Sequence, residues 1–214
     1  MKEFLSNLLD WIYKKKCYFC RDSKESLKMC SNCYSKMEYN NFTPIRSISD
    51  INIFSAGEYT NEMQKLIRGL KYHKQKELAF FLAKFMYEYF RDLKIEGKFQ
   101  VVPVPLHKNR QKHRGYNHME LVAREFCNLS GYTINTTLIK RGKDTAPQYK
   151  LTYKQRLNNL SNAFEVDKSQ LLDLPILIID DICTTGATFQ SMIEILKENG
   201  CINKIICFSA SNPT

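Results

Sequence analysis

ILIIDDICTTGAT, residues 176–188, runs an unbroken apolar stretch into two adjacent aspartates and then into a turn of small residues. Ile176 to Ile179 do not alternate with polar residues, the pattern of a strand covered on both faces in a parallel sheet. In such sheets the functional groups gather at the carboxyl ends of the strands, where Asp180 and Asp181 stand. Two carboxylates at a buried strand end are costly without partners. Thr184, Thr185, Gly186, Ala187 and Thr188 follow, and 187–198 then reads as a helix ended by Gly200. Small residues ahead of a helix let backbone N–H groups close on an anion, to which the helix N-terminus and the threonine hydroxyls add. The two carboxylates suit sugar hydroxyls, directly or through Mg²⁺. The stretch reads as a site for a phosphorylated sugar, against the plainer alternative of a strand-turn-helix with a capping threonine. It is not a P-loop, because no Gly-Lys-Ser/Thr follows.

Outward from this stretch, strands and helices alternate. Residues 61–92 predict one or two amphipathic helices, and 117–129 predicts another, ended by Gly131. INIFSAGEY, FQVVPVP (99–105), YTINTTLIK (132–140), NAFEV (162–166) and INKIICFSA (202–210) predict strands. The order argues for an α/β fold with a mostly parallel sheet flanked by helices. MKEFLSNLLDWIYKKK, at 1–16, has apolar residues at helical spacing and ends in three lysines. Packing on the body of the protein and lying on an anionic membrane surface are both open for it.

The 214 residues carry a net charge of +10, unevenly spread. Residues 101–160 hold eleven Lys/Arg and three acids, whereas 161–214 hold three and seven. A basic middle before an acidic end suggests an anionic ligand, either a phosphorylated small molecule or nucleic acid. VPVPLHKNRQKHRG, at 102–115, reads as an exposed basic turn after a strand, with Arg110 and Arg114 as forks for phosphate oxygens or as solvated charges. Tyr149 and Tyr153, among cations, suit base stacking or ordinary packing. No secretory signal or membrane span is read, and eight cysteines without a secretion signal fit a reducing compartment. Cys17-Tyr-Phe-Cys20 and Cys30-Ser-Asn-Cys33 are two CxxC pairs with nine residues between them. Two such knuckles complete a four-sulfur tetrahedral site suited to structural Zn²⁺, the alternative being two disulfides. Four protein ligands leave no open position for catalysis, and metal binding would supply much of the folding energy of so short a module.

DDICTTGAT resembles the phosphoribosyl-pyrophosphate (PRPP) motif of type I phosphoribosyltransferases. VVPVPLHKNRQKHRGYNHMELVA (101–123), LIRGLKYHKQKELAFFLA (66–83) and RGKDTAPQYKLTYKQRLNNLSNAF (141–164) are similar to segments of the ComF family of bacterial competence proteins. The four-cysteine module before the α/β domain is also ComF-like, so the resemblance covers essentially the whole chain. It departs at His118, where the family often has Gln. The resemblance implies a type I phosphoribosyltransferase-like fold over 41–214, behind an N-terminal helix and zinc module over 1–40. It implies that Asp180 and Asp181 are the catalytic acids on the ribose hydroxyls. Thr184, Thr185, Gly186, Ala187 and Thr188 would hold the 5′-phosphate, with Arg110 and Arg114 in the pyrophosphate-loop region and Mg²⁺ accompanying PRPP. Residues 141–159 would be the loop that closes over PRPP, with Arg141, Thr145, Gln148, Arg156 and Asn159 at family positions. Lys108, Arg110, Lys112, Arg114, Arg141 and Arg156 are the expected nucleic-acid contacts.

The function so implied is the handling of single-stranded DNA during its uptake in natural transformation. A DNA-translocating helicase is the implied partner, and the implied place is the cytoplasm, with peripheral contact to the inner face of its membrane. Two alternatives stay open at this point: an active phosphoribosyltransferase on an unidentified acceptor, and a PRPP-sensing adaptor without turnover.

Overall fold

A computed structural model describes residues 16–142 and 163–213. The expected N-terminal helix and the calls on Thr145, Gln148, Tyr149, Tyr153, Arg156 and Asn159 lie outside the described residues.

The described residues begin with the four-cysteine module, whose second knuckle carries the short helix α1 (Ser31–Tyr34). Strands β1 (Arg46–Ile48) and β2 (Ile51–Glu58) form a hairpin, followed by helices α2 (Asn61–Tyr72) and α3 (Leu78–Asp92). Next come β3 (Gln100–Pro103), α4 (Lys108–Arg114), α5 (His118–Ser130) and β4 (Thr133–Ile134). A small antiparallel ribbon pairs β5 (Ile139–Arg141) with β6 (Phe164–Val166). The chain ends with β7 (Ile176–Ile182), α6 (Ala187–Glu198) and β8 (Ile205–Asn212).

The main sheet has six strands in the order β1-β2-β8-β7-β3-β4, all parallel except for the β1–β2 hairpin. Strand β7 is central, with Ile178 opposite Cys207 on one side and Val102 on the other. Its apolar run is covered on both faces. Leu177 and Ile179 pack with α2, α3 and α5, where Leu82, Phe85 and Phe126 are fully buried. Ile176 and Ile178 pack with α6 and the ribbon, through Phe189, Met192 and Phe164. Successive strand residues point to opposite faces, and burying both faces requires the unbroken apolar stretch. The expected mixed α/β class, with a mostly parallel sheet behind a four-cysteine module, is what the structure has.

Three expectations change. The basic stretch 108–114 is a helix rather than an exposed turn. His107 caps it by accepting from the Asn109 N–H at 3.2 Å, Gly115 closes it at φ +85°, and three cations sit in its last turn. YTINTTLIK is not one strand, because β4 joins the main sheet while β5 leaves it for the ribbon. The PILIID strand continues through Ile182, so both aspartates lie within it.

The cysteine module packs directly on α2 and α3. Tyr34 and Tyr39 both donate to Glu88 Oε2, at 2.6 and 2.8 Å, and Lys65 donates to the Phe19 carbonyl at 2.8 Å. Tyr39 bridges to Gly57. A Cβ at Gly57 would lie 2.7 Å from the Glu38 carbonyl oxygen, so only glycine admits this approach. Among the described residues no helix is long and apolar enough to cross a membrane.

Candidate functional site

The two adjacent aspartates face opposite sides of the sheet, as the period of a strand requires. Asp180 turns toward α6. There it lines a shallow hollow of about 10 Å³ together with Cys183 and the turn from Thr184 to Thr188. Gly186 caps α6 at φ +80°. A Cβ there would stand 2.9 Å from Ile48 of the β1–β2 hairpin, and Arg46 of that hairpin donates to the Thr185 carbonyl. The hairpin therefore packs against the turn and brings Arg46 to it. The threonine hydroxyls and the N-terminus of a twelve-residue helix offer donors to an anion, and Asp180 sets an acceptor beside them.

Asp181 turns the other way, into a buried chain of polar groups. Lys71, at the end of α2, donates to Asp181 Oδ2 at 2.7 Å. His118, the first residue of α5, donates from Nε2 to the same oxygen. Arg114, at the end of α4, donates to His118 Nδ1 at 2.7 Å. A guanidinium cannot accept, so Nδ1 is the acceptor and His118 is the neutral Nε2–H tautomer. Burial agrees, holding His118 below its ordinary value despite Asp181. Burial alone would raise Asp181, but Lys71 and His118 overcome it and hold the carboxyl well below the usual carboxylate range. Asp180 is the contrasting case. Burial, and then the charge of Asp181, push it up to about 7, against partial offsets from Lys71 and Arg141.

The structure thus brings Asp180, the 184–188 turn, Asp181 and Arg114 to the carboxyl end of the sheet, but divides them between its faces. Lys108 and Lys112 are exposed on α4, with Arg110 on the same helix partly covered. Arg141 is buried in the ribbon with its guanidinium over Phe164, 5.5 Å from the ring centroid. Sequence reasoning missed Lys71, His118 and Arg46. Only His118 gave a signal, as a departure from the family pattern.

The four cysteine sulfurs form a second site. All lie within 4.8 Å of one another, and Cys20 and Cys30 sulfurs are 3.6 Å apart. The Cys30 N–H points at Cys17 sulfur at 3.5 Å. Burial would raise Cys17, but backbone donors from Cys20, Cys30 and Phe19 bring it down to about 6. This cluster can hold a metal ion.

No family model matches the chain. Competence protein F of Haemophilus influenzae is 29% identical over 195 residues, which are 86% of this chain and 85% of that protein. The chain is a homologue of the ComF competence proteins. DNA utilization protein YhgH of Salmonella typhimurium is 29% identical, over 69% of the chain and 66% of YhgH. Competence protein ComFC of Bacillus subtilis is 27% identical, over 68% of the chain and 58% of ComFC. Among solved structures, the hypoxanthine phosphoribosyl transferase of Trypanosoma cruzi aligns over 71% of this chain and 76% of its own. Its TM-score is 0.36 and its identity 12%.

The raised Asp180 has a measurable consequence. A carboxyl whose folded value lies above its unfolded value binds protons on folding, so its contribution is present at low pH and is lost as pH rises. The loss runs from about 4, the unfolded value, to about 7. Urea unfolding is expected to show stability falling across this window, by at most about 1.4 kcal/mol per pH unit. Asp180→Asn is expected to flatten that fall; an unchanged profile would assign it to other groups.

Proposed function

We propose that the chain is a DNA-handling protein of the competence type, acting in DNA uptake, with a PRPP·Mg²⁺ site at the carboxyl end of β7. The names of its homologues, competence protein F, ComFC and a DNA utilization protein, support the first part. The observation that carries the second is the hollow in which Asp180 meets the small-residue turn at the N-terminus of α6. In this reading the 184–188 turn holds the 5′-phosphate through backbone N–H groups and threonine hydroxyls. Asp180 takes the ribose hydroxyls, directly or through Mg²⁺. Asp181, braced by Lys71 and His118, is the second acid at that strand end. Arg114 and Arg110 supply cations on the α4 side, where pyrophosphate oxygens would be held. Asp180 would hold the Mg²⁺, which when bound would supply positive charge against the phosphates.

Residues 1–40 form the metal module in this reading and 41–214 the phosphoribosyltransferase-like domain. The module's ion is zinc. Tetrahedral zinc with sulfur ligands at ~2.3 Å puts the sulfurs ~3.8 Å apart, which the cluster approximates. Single-stranded DNA, a DNA-translocating helicase and a cytoplasmic place complete the reading.

Calorimetry with PRPP·Mg²⁺ is expected to show binding to the zinc-replete protein. Asp180→Ala or Asp181→Ala should weaken it by roughly ten- to hundredfold, the worth of a hydrogen bond to a charged group. Wild-type protein that takes up no heat with PRPP·Mg²⁺ contradicts the site. Purified under reducing conditions, the chain is expected to carry about one zinc and to lose thermal stability when a chelator strips it. Protein that is metal-free yet equally stable contradicts the zinc assignment.

A further inference from the structure

Two basic segments far apart in sequence meet beside the Asp181 cluster. Arg68 to Lys76 carries four cations and no acid, and α4, from Lys108 to Arg114, carries another four and no acid. Tyr116 donates to the Leu70 carbonyl at 2.5 Å and ties the two segments together. Lys76 lies over the Tyr116 ring at 5.0 Å, and Arg114 over the Tyr72 ring at 5.8 Å. Tyr72 is the last residue of α2 and is 65% exposed. Its neighbour Lys71 is bonded to Asp181, so the exposed ring stands at the rim of that cluster. Arg68 lies one helical turn earlier on the same face. Exposed His73, Lys74 and Lys76 follow Tyr72.

An exposed, two-torsion aromatic among fixed cations is the arrangement that binds single-stranded nucleic acid, where bases stack and cations track the backbone. A membrane-inserting surface would instead gather aliphatic and aromatic side chains on one face, whereas the residues after Tyr72 are polar or cationic. We infer that Tyr72 is a base-stacking platform for single-stranded DNA. Arg68, Lys74 and Lys112 take its flanking phosphates, so the strand passes the rim of the Asp181 cluster. The inference rests on the DNA-handling reading and names the surface that serves it.

Fluorescence anisotropy with a labelled oligothymidine tests it. Tyr72→Ala is expected to weaken binding by roughly five- to hundredfold, the worth of one stacked base, while Tyr72→Trp retains affinity. The salt slope should not change, because no phosphate contact is lost. On an oligonucleotide with abasic sites throughout, wild type and Tyr72→Ala should bind alike. Tyr72 is exposed, so unchanged melting of the variant separates loss of stacking from loss of fold. If wild type binds and Tyr72→Ala binds equally well, the platform is refuted and the DNA reading stands. If wild type binds no single-stranded DNA at low salt, or binds phosphatidylglycerol vesicles in preference to it, both are refuted.

Discussion

Asp181 holds a negative charge where water barely reaches, and the arrangement around it follows from satisfying that charge. Lys71 from α2 and His118 from α5 converge on one carboxylate oxygen, and Arg114 from α4 fixes the histidine from behind. Removing one partner of such a buried pair typically costs roughly 3–5 kcal/mol, because the other charge is left stranded. The cluster therefore fixes the ends of three helices against the end of the central strand. The neutral form of His118 belongs to the same balance. A protonated imidazole would lose the bond from Arg114 and set another cation beside Lys71.

Because strand residues alternate in direction, the same Asp-Asp pair serves two environments. Asp181 is paired, charged and structural to its surroundings. Asp180 lines an open hollow, carries a raised proton affinity and faces a helix N-terminus. A carboxyl held near neutrality by burial and by a like charge is poised to ionise when a cation or a set of hydroxyl donors arrives. The β1–β2 hairpin braces the turn beside the hollow from the sheet edge. On the opposite face the cations of α4 and of the α2–α3 turn present a surface of the other kind, open and basic.

The strand, the turn and the last helix were legible in ILIIDDICTTGAT, because burial on both faces demands continuous apolar residues and a tight turn into a helix favours small ones. The four-cysteine cluster was legible too, since two CxxC pairs leave few other uses for four thiols. Helix α4 was not, because KNRQKHR has no apolar face to give it a period; its cap at His107 and its stop at Gly115 define it instead. Lys71 and His118 were invisible as partners of Asp181, being 110 and 63 positions away in a sequence that records no contact between them. The split of the aspartates was readable in principle from strand period two, but only once the strand was known to run through Ile182.

Amide hydrogen exchange with and without PRPP·Mg²⁺ tests the central claim most directly, because it reports where the ligand sits. Slowed exchange at the amides of residues 184–188 in the wild type, lost in Asp180→Ala, is the predicted result. Unchanged exchange at that turn while PRPP·Mg²⁺ binds, or protection confined to another part of the chain, would contradict a ligand site at the carboxyl end of β7.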